Sequence, residues 1–278
     1  MTDRDETRRQ PARIVQPRRW GALALAGVAA LGVGPGTFAG PAAAQTAAVA
    51  PAAGEGGEGG ESGTSSAAGT DEAYLEALGQ IDGHLHAAMA LYREGRIALA
   101  AEHIDSPDSD AYVVLSSEIA EHGHEGFARE LAALDIAADE SAPLPQVEET
   151  YARLRARIDA LWQKADAEPG LLMMALSALI RGAAEDYAVG VQAGAVVDLG
   201  EYQDALGYVE VARAQLSRLT TSSDQRVLAA AKKGLAALDT LAPAFDGSVP
   251  DGALGGDAGL LYAAAAQIEL AAYPLKTP

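Results

Sequence analysis

The sequence predicts an all-α fold, and three observations carry the prediction. Ala and Leu dominate, aromatic residues make up only 5% of the chain, and β-branched runs are scarce, so helix formers outnumber strand formers. Apolar residues recur at spacings of three and four rather than two, the period of a helix with one buried face. Short clusters of Gly, Pro, Ser and Asp separate the periodic stretches. The expected architecture is an antiparallel helical bundle or helical-hairpin array of about eight to nine helices, preceded by a signal peptide and a disordered linker.

The chain opens with an export signal. Arg4, Arg8, Arg9, Arg13, Arg18 and Arg19 precede an uncharged run from Trp20 to Val33, and Ala42 and Ala44 form an A-x-A exit site before Gln45. The run is about 14 residues, short of the roughly 20 that span a bilayer. Residues 1–44 are therefore expected to be cleaved after Ala44, leaving no stable membrane span and a periplasmic or secreted product; retention as an anchor is the alternative. Arg18-Arg19 permits a twin-arginine route, and the general secretory route fits as well. Residues 45–70 are mostly Ala, Gly, Ser, Glu and Pro with nothing apolar larger than Val49, so they cannot bury enough surface to order and form a linker. Residues 71–278 form the helical domain.

Within it, helix one is expected over Asp71–Arg93, broken by Gly95, and a short helix over Arg96–His103. The loop Asp105-Ser106-Pro107-Asp108 leads to a third helix capped by Ser109 or Asp110 and ending near Gly123. A fourth covers Glu125 to Ala138. Ser141-Ala142-Pro143-Leu144-Pro145 marks a candidate subdomain boundary near 139–146. The fifth, Gln146 to Ala167, places Val147, Tyr151, Leu154, Ile158, Leu161 and Trp162 on one stripe. Pro169 suits the first turn of the sixth helix. The run from Leu171 to Ile180 is apolar nearly all round but too short for a span, so it is expected to be a central buried helix ending near Arg181, with Met173 and Met174 as core. Asp198 and Glu201 have capping-box spacing before the seventh helix, and Ser222 and Gln225 match the box before the eighth, which ends near Leu241. Phe245 to Gly256 is a loop, and a last helix covers Asp257 to Ala272.

Charge and composition exclude several functions. The chain has 20 basic and 39 acidic residues; without the export segment 14 and 36 remain, a net charge near −22. Such a field repels nucleic acids and anionic lipid surfaces and favours cations or basic partners. There is no Cys, which rules out disulfides, thiolate sites and a lipidated N-terminal Cys. No G-x-S-x-G, H-E-x-x-H, P-loop or strand-borne G-x-G-x-x-G occurs, so no enzymatic role is expected and no cofactor is implied with certainty.

All five histidines, His84, His86, His103, His122 and His124, fall in one window. His84 and His86 point about 200° apart on a helix and cannot chelate one ion together. Asp82 and His86, four apart, share a face. A hairpin centred near Gly95 brings His86 opposite His103, so Asp82, His86 and His103, with Asp105 beside them, could hold a divalent or trivalent metal such as iron through N and O ligands. The structural alternative is an i,i+4 ion pair and a helix-end cap. His122 and His124 are expected as surface turn residues. Glu118 and Glu121 form an E-x-x-E on one helix face, and Glu55, Glu58 and Glu61 repeat that spacing in the linker, where low-complexity drift explains it.

Two resemblances follow from particular residues. Ala90-Leu91-Tyr92-Arg93-Glu94-Gly95 followed by Ala98, Ala100, Ala101, Pro107 and Ala111-Tyr112 resembles one tetratricopeptide hairpin, which implies a scaffold binding an envelope protein partner. Gly83-His84-Leu85, the hairpin ending at His103 with Pro107 behind it, and Tyr187 followed by Val196 to Ala205 resemble the helical periplasmic proteins and domains that accompany bacterial iron-permease systems. That resemblance implies an accessory in metal handling or uptake, because the permease's own R-E-G-L-E and its series of membrane spans are absent. It makes His84, His103, Glu201 and Tyr202 candidate metal-site residues. A capping box for Glu201 and a half-buried helix contact for Tyr202 are the structural alternatives.

Overall fold

The computed structural model describes residues 71–105, 110–165 and 168–276. The export segment, the linker with its three Glu residues, and the loop through Ser106, Pro107 and Asp108 with the Ser109 cap lie outside the described residues. Among the described residues nine α-helices and one two-stranded hairpin occur.

α1 (Asp71–Arg93) and α2 (Ile97–Asp105) form a hairpin that turns at Gly95, whose φ of 76° lies in the left-handed region open to glycine. α3 (Asp110–Glu121) and α4 (Ala128–Asp139) follow. The turn after α4 is tied back by Tyr92, whose hydroxyl donates to the Ala142 carbonyl at 2.5 Å. α5 (Leu144–Ala165) buries the predicted stripe, with Trp162 fully enclosed. The described residues fall in one compact unit, and the turn between α4 and α5 lies inside it.

α6 (Pro169–Gly190) starts on Pro169 as expected but continues well past Arg181. Arg181 ends nothing because its guanidinium pairs with Glu269 at the helix flank, while Ala183, Ala184 and Tyr187 extend the buried face. β1 (Val191–Gln192) and β2 (Ala195–Val196) then make a hairpin across Ala193 and Gly194, both at positive φ (52° and 79°). Two-residue strands leave no period to detect, so periodicity misses them. α7 (Leu199–Leu219) is capped by Asp198, whose carboxylate accepts from the Gly200 and Glu201 amides. α8 (Gln225–Asp239) is capped by Asp224, not Ser222: the Asp224 carboxylate accepts from the Arg226 amide, and the Ser222 hydroxyl accepts one turn earlier from the Asp224 amide. α9 (Ala258–Lys276) runs slightly past the expected end, with Pro274 in its last turn.

α6 packs on α7 and α9, and α8 packs on the other sides of both, so α6 to α9 close a four-helix ring. α1 lies across α6 and α7 from outside, α2 lies on α1 and α4, and α5 contacts α4 and α1. No described helix is long and apolar enough to cross a membrane.

Two features set the position of α1. The first is its crossing with α7 at Gly83 and Gly207. A Cβ on Gly207 would run into the Gly83 carbonyl, 2.8 Å from its carbon, and one on Gly83 would run into the Tyr208 ring, 2.9 Å from Cε1 and closer still to Cδ1. Backbone meets backbone there, so any side chain forces the helices apart. The second is a buried polar junction with α5. Asp82 is 1% exposed and accepts from the Arg155 guanidinium, while the Trp162 indole donates to its other oxygen at 2.9 Å. Arg155 also bonds Asp159 at 2.6 Å.

Each feature gives a prediction. Gly207→Ala should lower the thermal midpoint by roughly 2–10 °C, the effect of about 1–3 kcal/mol of overpacking in a domain of this size; calorimetry showing an unchanged midpoint would refute the close crossing. Arg155→Met leaves a buried carboxylate without its cation and should destabilise by about 3–5 kcal/mol in denaturant titration. A loss below about 1 kcal/mol would mean that Asp82 does not depend on that partner.

Candidate metal centre

Asp204, Gly207 and Tyr208 lie at i, i+3 and i+4 on α7 and therefore share a face. Gly207 brings that face against α1 at Gly83, next to His84. The hairpin at Gly95 returns α2 so that His103 reaches the same place. Three elements thus converge on one carboxylate oxygen. Asp204 Oδ1 lies 2.6 Å from His84 Nδ1 and 2.9 Å from His103 Nδ1. The three ligand atoms all lie within 4.8 Å of one another, and the imidazole centroids are 6.2 Å apart. Both histidines are buried and Asp204 is largely covered.

The polar groups behind these atoms are ordered. His103 Nε2 is 2.8 Å from Gln203 Oε1, and the Gln203 amide nitrogen donates to the Ser248 carbonyl at 2.8 Å. The Ser248 hydroxyl donates to Glu94 at 2.7 Å. His84 Nε2 lies 3.2 Å from the Tyr208 hydroxyl, with the two rings edge to face. His84 Nδ1 and Asp204 Oδ1 differ from these: they are buried and within ion-pairing distance, yet neither makes a well-directed hydrogen bond. A buried imidazole nitrogen and a buried carboxylate oxygen left in this state are the donors a cation would bind.

Burial by itself would raise the Asp204 carboxyl, but the His84 and His103 rings overcome it and hold the group well below the usual carboxylate range. Burial would lower His103, yet the Asp204 carboxylate and the Gln203 side chain carry it above the ordinary histidine value. Nearby Asp186 on α6 is pushed up to about 8, first by burial and then by the charges of Asp204, Glu201 and Glu185. Asp186 and the neighbouring acids Asp204, Glu201 and Glu185 thus act on one another around the centre.

The sequence-derived candidates divide into three groups. His84 and His103 converge. Asp82 and His86 pair with each other at 3.6 Å but stand apart from His103, contrary to the hairpin reading. Turn position alone does not set helix rotation; the Gly83–Gly207 crossing rotates the His84 face of α1 toward α7, and His86 points about 200° away. Both oxygens of Asp82 are occupied by Arg155 and Trp162, where a guanidinium serves as counter-ion. Asp105 is exposed at the end of α2, outside the group of three. Glu201 is half-buried in the first turn of α7 and acts on the centre through its charge on Asp186. Tyr202 is fully buried and structural: its hydroxyl donates to the Gly247 carbonyl at 2.8 Å and accepts from the Asp246 amide at 3.0 Å. His122 and His124 sit at a turn, beside Asp71 at 3.6 Å and Lys164 at 2.8 Å.

Asp204 was not singled out from sequence, although one signal was present. It is an acid on a helix face that continues with Gly207, Tyr208 and Val211, all buried, a position where charge needs a specific partner.

No curated protein and no solved structure matches the chain. Residues 163–270 match a family described as the iron permease-associated 4-helix bundle domain. The match starts near the end of α5 and runs through α6, α7 and α8 into α9, the helices that close the ring. Gln203, Asp204 and Tyr208 lie inside the matched segment, whereas His84 and His103 lie outside it. The match agrees with the resemblance drawn from Tyr187 and Val196 to Ala205: this part of the chain is similar to the helical bundles associated with iron permeases.

Proposed function

We propose that this protein is an exported, non-enzymatic helical accessory of an iron-uptake system that binds a metal cation at His84, His103 and Asp204. The observation that carries the reading is the pair of buried, unsatisfied donor atoms, His84 Nδ1 and Asp204 Oδ1, with His103 Nδ1 within reach. Two imidazoles and one carboxylate form a borderline donor set that suits first-row divalent ions, ferrous iron included, and leaves positions open for exchange. The iron permease-associated match at 163–270 supports the iron context. The basic leader, apolar run and A-x-A site support work outside the cytoplasm, beside the permease as its envelope partner.

Calorimetric titration of the protein from Gln45 onward with Fe²⁺ under argon, and with Cu²⁺ and Zn²⁺, tests this. One site tighter than about millimolar is expected, weakened at least tenfold by His84→Ala, His103→Ala or Asp204→Asn, each removing one ligand. His122→Ala combined with His124→Ala should leave binding unchanged. Absence of binding, or binding indifferent to the first three variants, would defeat the proposal.

The ion-free protein should show a matching pH dependence. His103 is raised, so its stabilising contribution is complete below the ordinary histidine value of about 6.5 and is lost as pH rises through its folded value. Asp204 is lowered, so its contribution is present above about 3.9 and is lost only on strong acidification. The excess stability of wild type over Asp204→Asn should therefore be greatest near pH 5–6 and shrink toward pH 9. A difference that grows with pH would contradict the assigned His103–Asp204 pairing.

A further inference from the structure

We propose that Gln203 is the positioning residue of this centre, fixing which His103 nitrogen is offered to a divalent cation; the inference rests on the cation-binding reading above. A glutamine amide can present either its oxygen or its nitrogen, but here the choice is forced. The Ser248 main-chain carbonyl can only accept, so the group 2.8 Å from it is the Gln203 amide nitrogen. The Gln203 oxygen then faces His103 Nε2 at 2.8 Å, and since that oxygen can only accept, Nε2 carries the proton. In the neutral ring the remaining nitrogen, Nδ1, is a bare lone pair directed at Asp204 Oδ1, 2.9 Å away. Two lone-pair donors at that separation repel unless a proton or a metal ion lies between them. Gln203 therefore holds His103 in the one tautomer that can ligate alongside Asp204.

His84 has no equivalent lock. Its Nε2 partner is the Tyr208 hydroxyl, which can donate or accept and so leaves the tautomer open. The asymmetry assigns the orienting role to Gln203 alone, and gives the loop after α8 a purpose. Gly247 and Asp246 are held by the Tyr202 hydroxyl, Ser248 is held by Glu94 at the end of α1, and the carbonyl they fix is the one that turns the Gln203 amide. Consecutive α7 residues thus divide the work: Tyr202 fastens the loop, Gln203 reads its direction, and Asp204 supplies the ligand.

The test uses Zn²⁺ alone as a diamagnetic probe with wild type, Gln203→Leu and Gln203→Glu, and reads affinity by calorimetry and imidazole ¹⁵N–¹H correlations by NMR. Wild type should bind through His103 Nδ1 with a slowly exchanging Nε2 proton. Gln203→Leu should lose about 10–100-fold in affinity together with that protected proton, while circular dichroism stays helical. Gln203→Glu keeps an acceptor for Nε2–H and should retain the Nδ1-bound form with affinity closer to wild type than to the Leu variant. Equal affinity in wild type and Gln203→Leu overturns the inference while leaving cation binding intact. So does an equal loss in both variants with the metal still on Nδ1 and the Nε2 proton still protected, since Gln203 would then be a packing residue only. A wild type that takes up no Zn²⁺, Fe²⁺ or Cu²⁺ overturns the cation reading, and this inference with it.

Discussion

The rest of the structure depends on two helices touching without side chains between them. At Gly83 and Gly207 the α1 and α7 backbones approach so closely that a single methyl group on either has no room. Contacts of this kind fix rotation as well as distance, because only one face of each helix carries the glycine. On α1 that face carries His84; on α7 it carries Asp204 and Tyr208.

Because α1 is held in that rotation, its two buried polar faces meet different neighbours. Asp82 looks toward α5 and finds a guanidinium, an indole N–H and a histidine. Burial pushes its carboxyl up, against the pull of Arg155, His86 and Trp162, but both oxygens accept a hydrogen bond, and the junction serves packing. His84 looks toward α7 and finds a carboxylate with the wrong direction for a hydrogen bond, beside a second imidazole. A polar cluster that is complete specifies a fold; one left incomplete in a buried place costs stability and needs another reason to exist. The contrast between two sites two residues apart on one helix is the strongest support for the proposed ligand at the second.

The centre also joins two parts of the chain with different relationships. The ring of α6 to α9 is the part similar to the iron permease-associated bundles, and it provides the carboxylate, the orienting glutamine and the tyrosine. The imidazoles come from the hairpin of α1 and α2, which packs on the ring from outside. Neither part can assemble the donor set alone, so the proposed cation binding would be coupled to the docking of the hairpin on the bundle.

How much of this was visible in the residues depends on the range of the interaction. The helices were legible, because a buried face repeats every 3.6 residues and the breakers Gly95, Gly123 and Pro169 act locally; so was the Asp198 cap, whose bonds reach only two and three residues along. Short-range rules went wrong where local options competed: Asp224 displaced Ser222 as a cap, and Arg181 was absorbed by an ion pair 88 residues away. The histidine window was visible as composition, and His84 and His103 were named, but their partner was not, since Asp204 lies 101 residues beyond His103. Choosing His84 over His86 required the rotation of α1, which two glycines set by close contact across 124 residues of sequence. The sequence by itself determined which segments are helical, which faces are buried, and that histidines and acids are available. Only the tertiary structure decided which of them meet, because helix rotation is fixed by packing between distant segments and leaves no periodic trace in either.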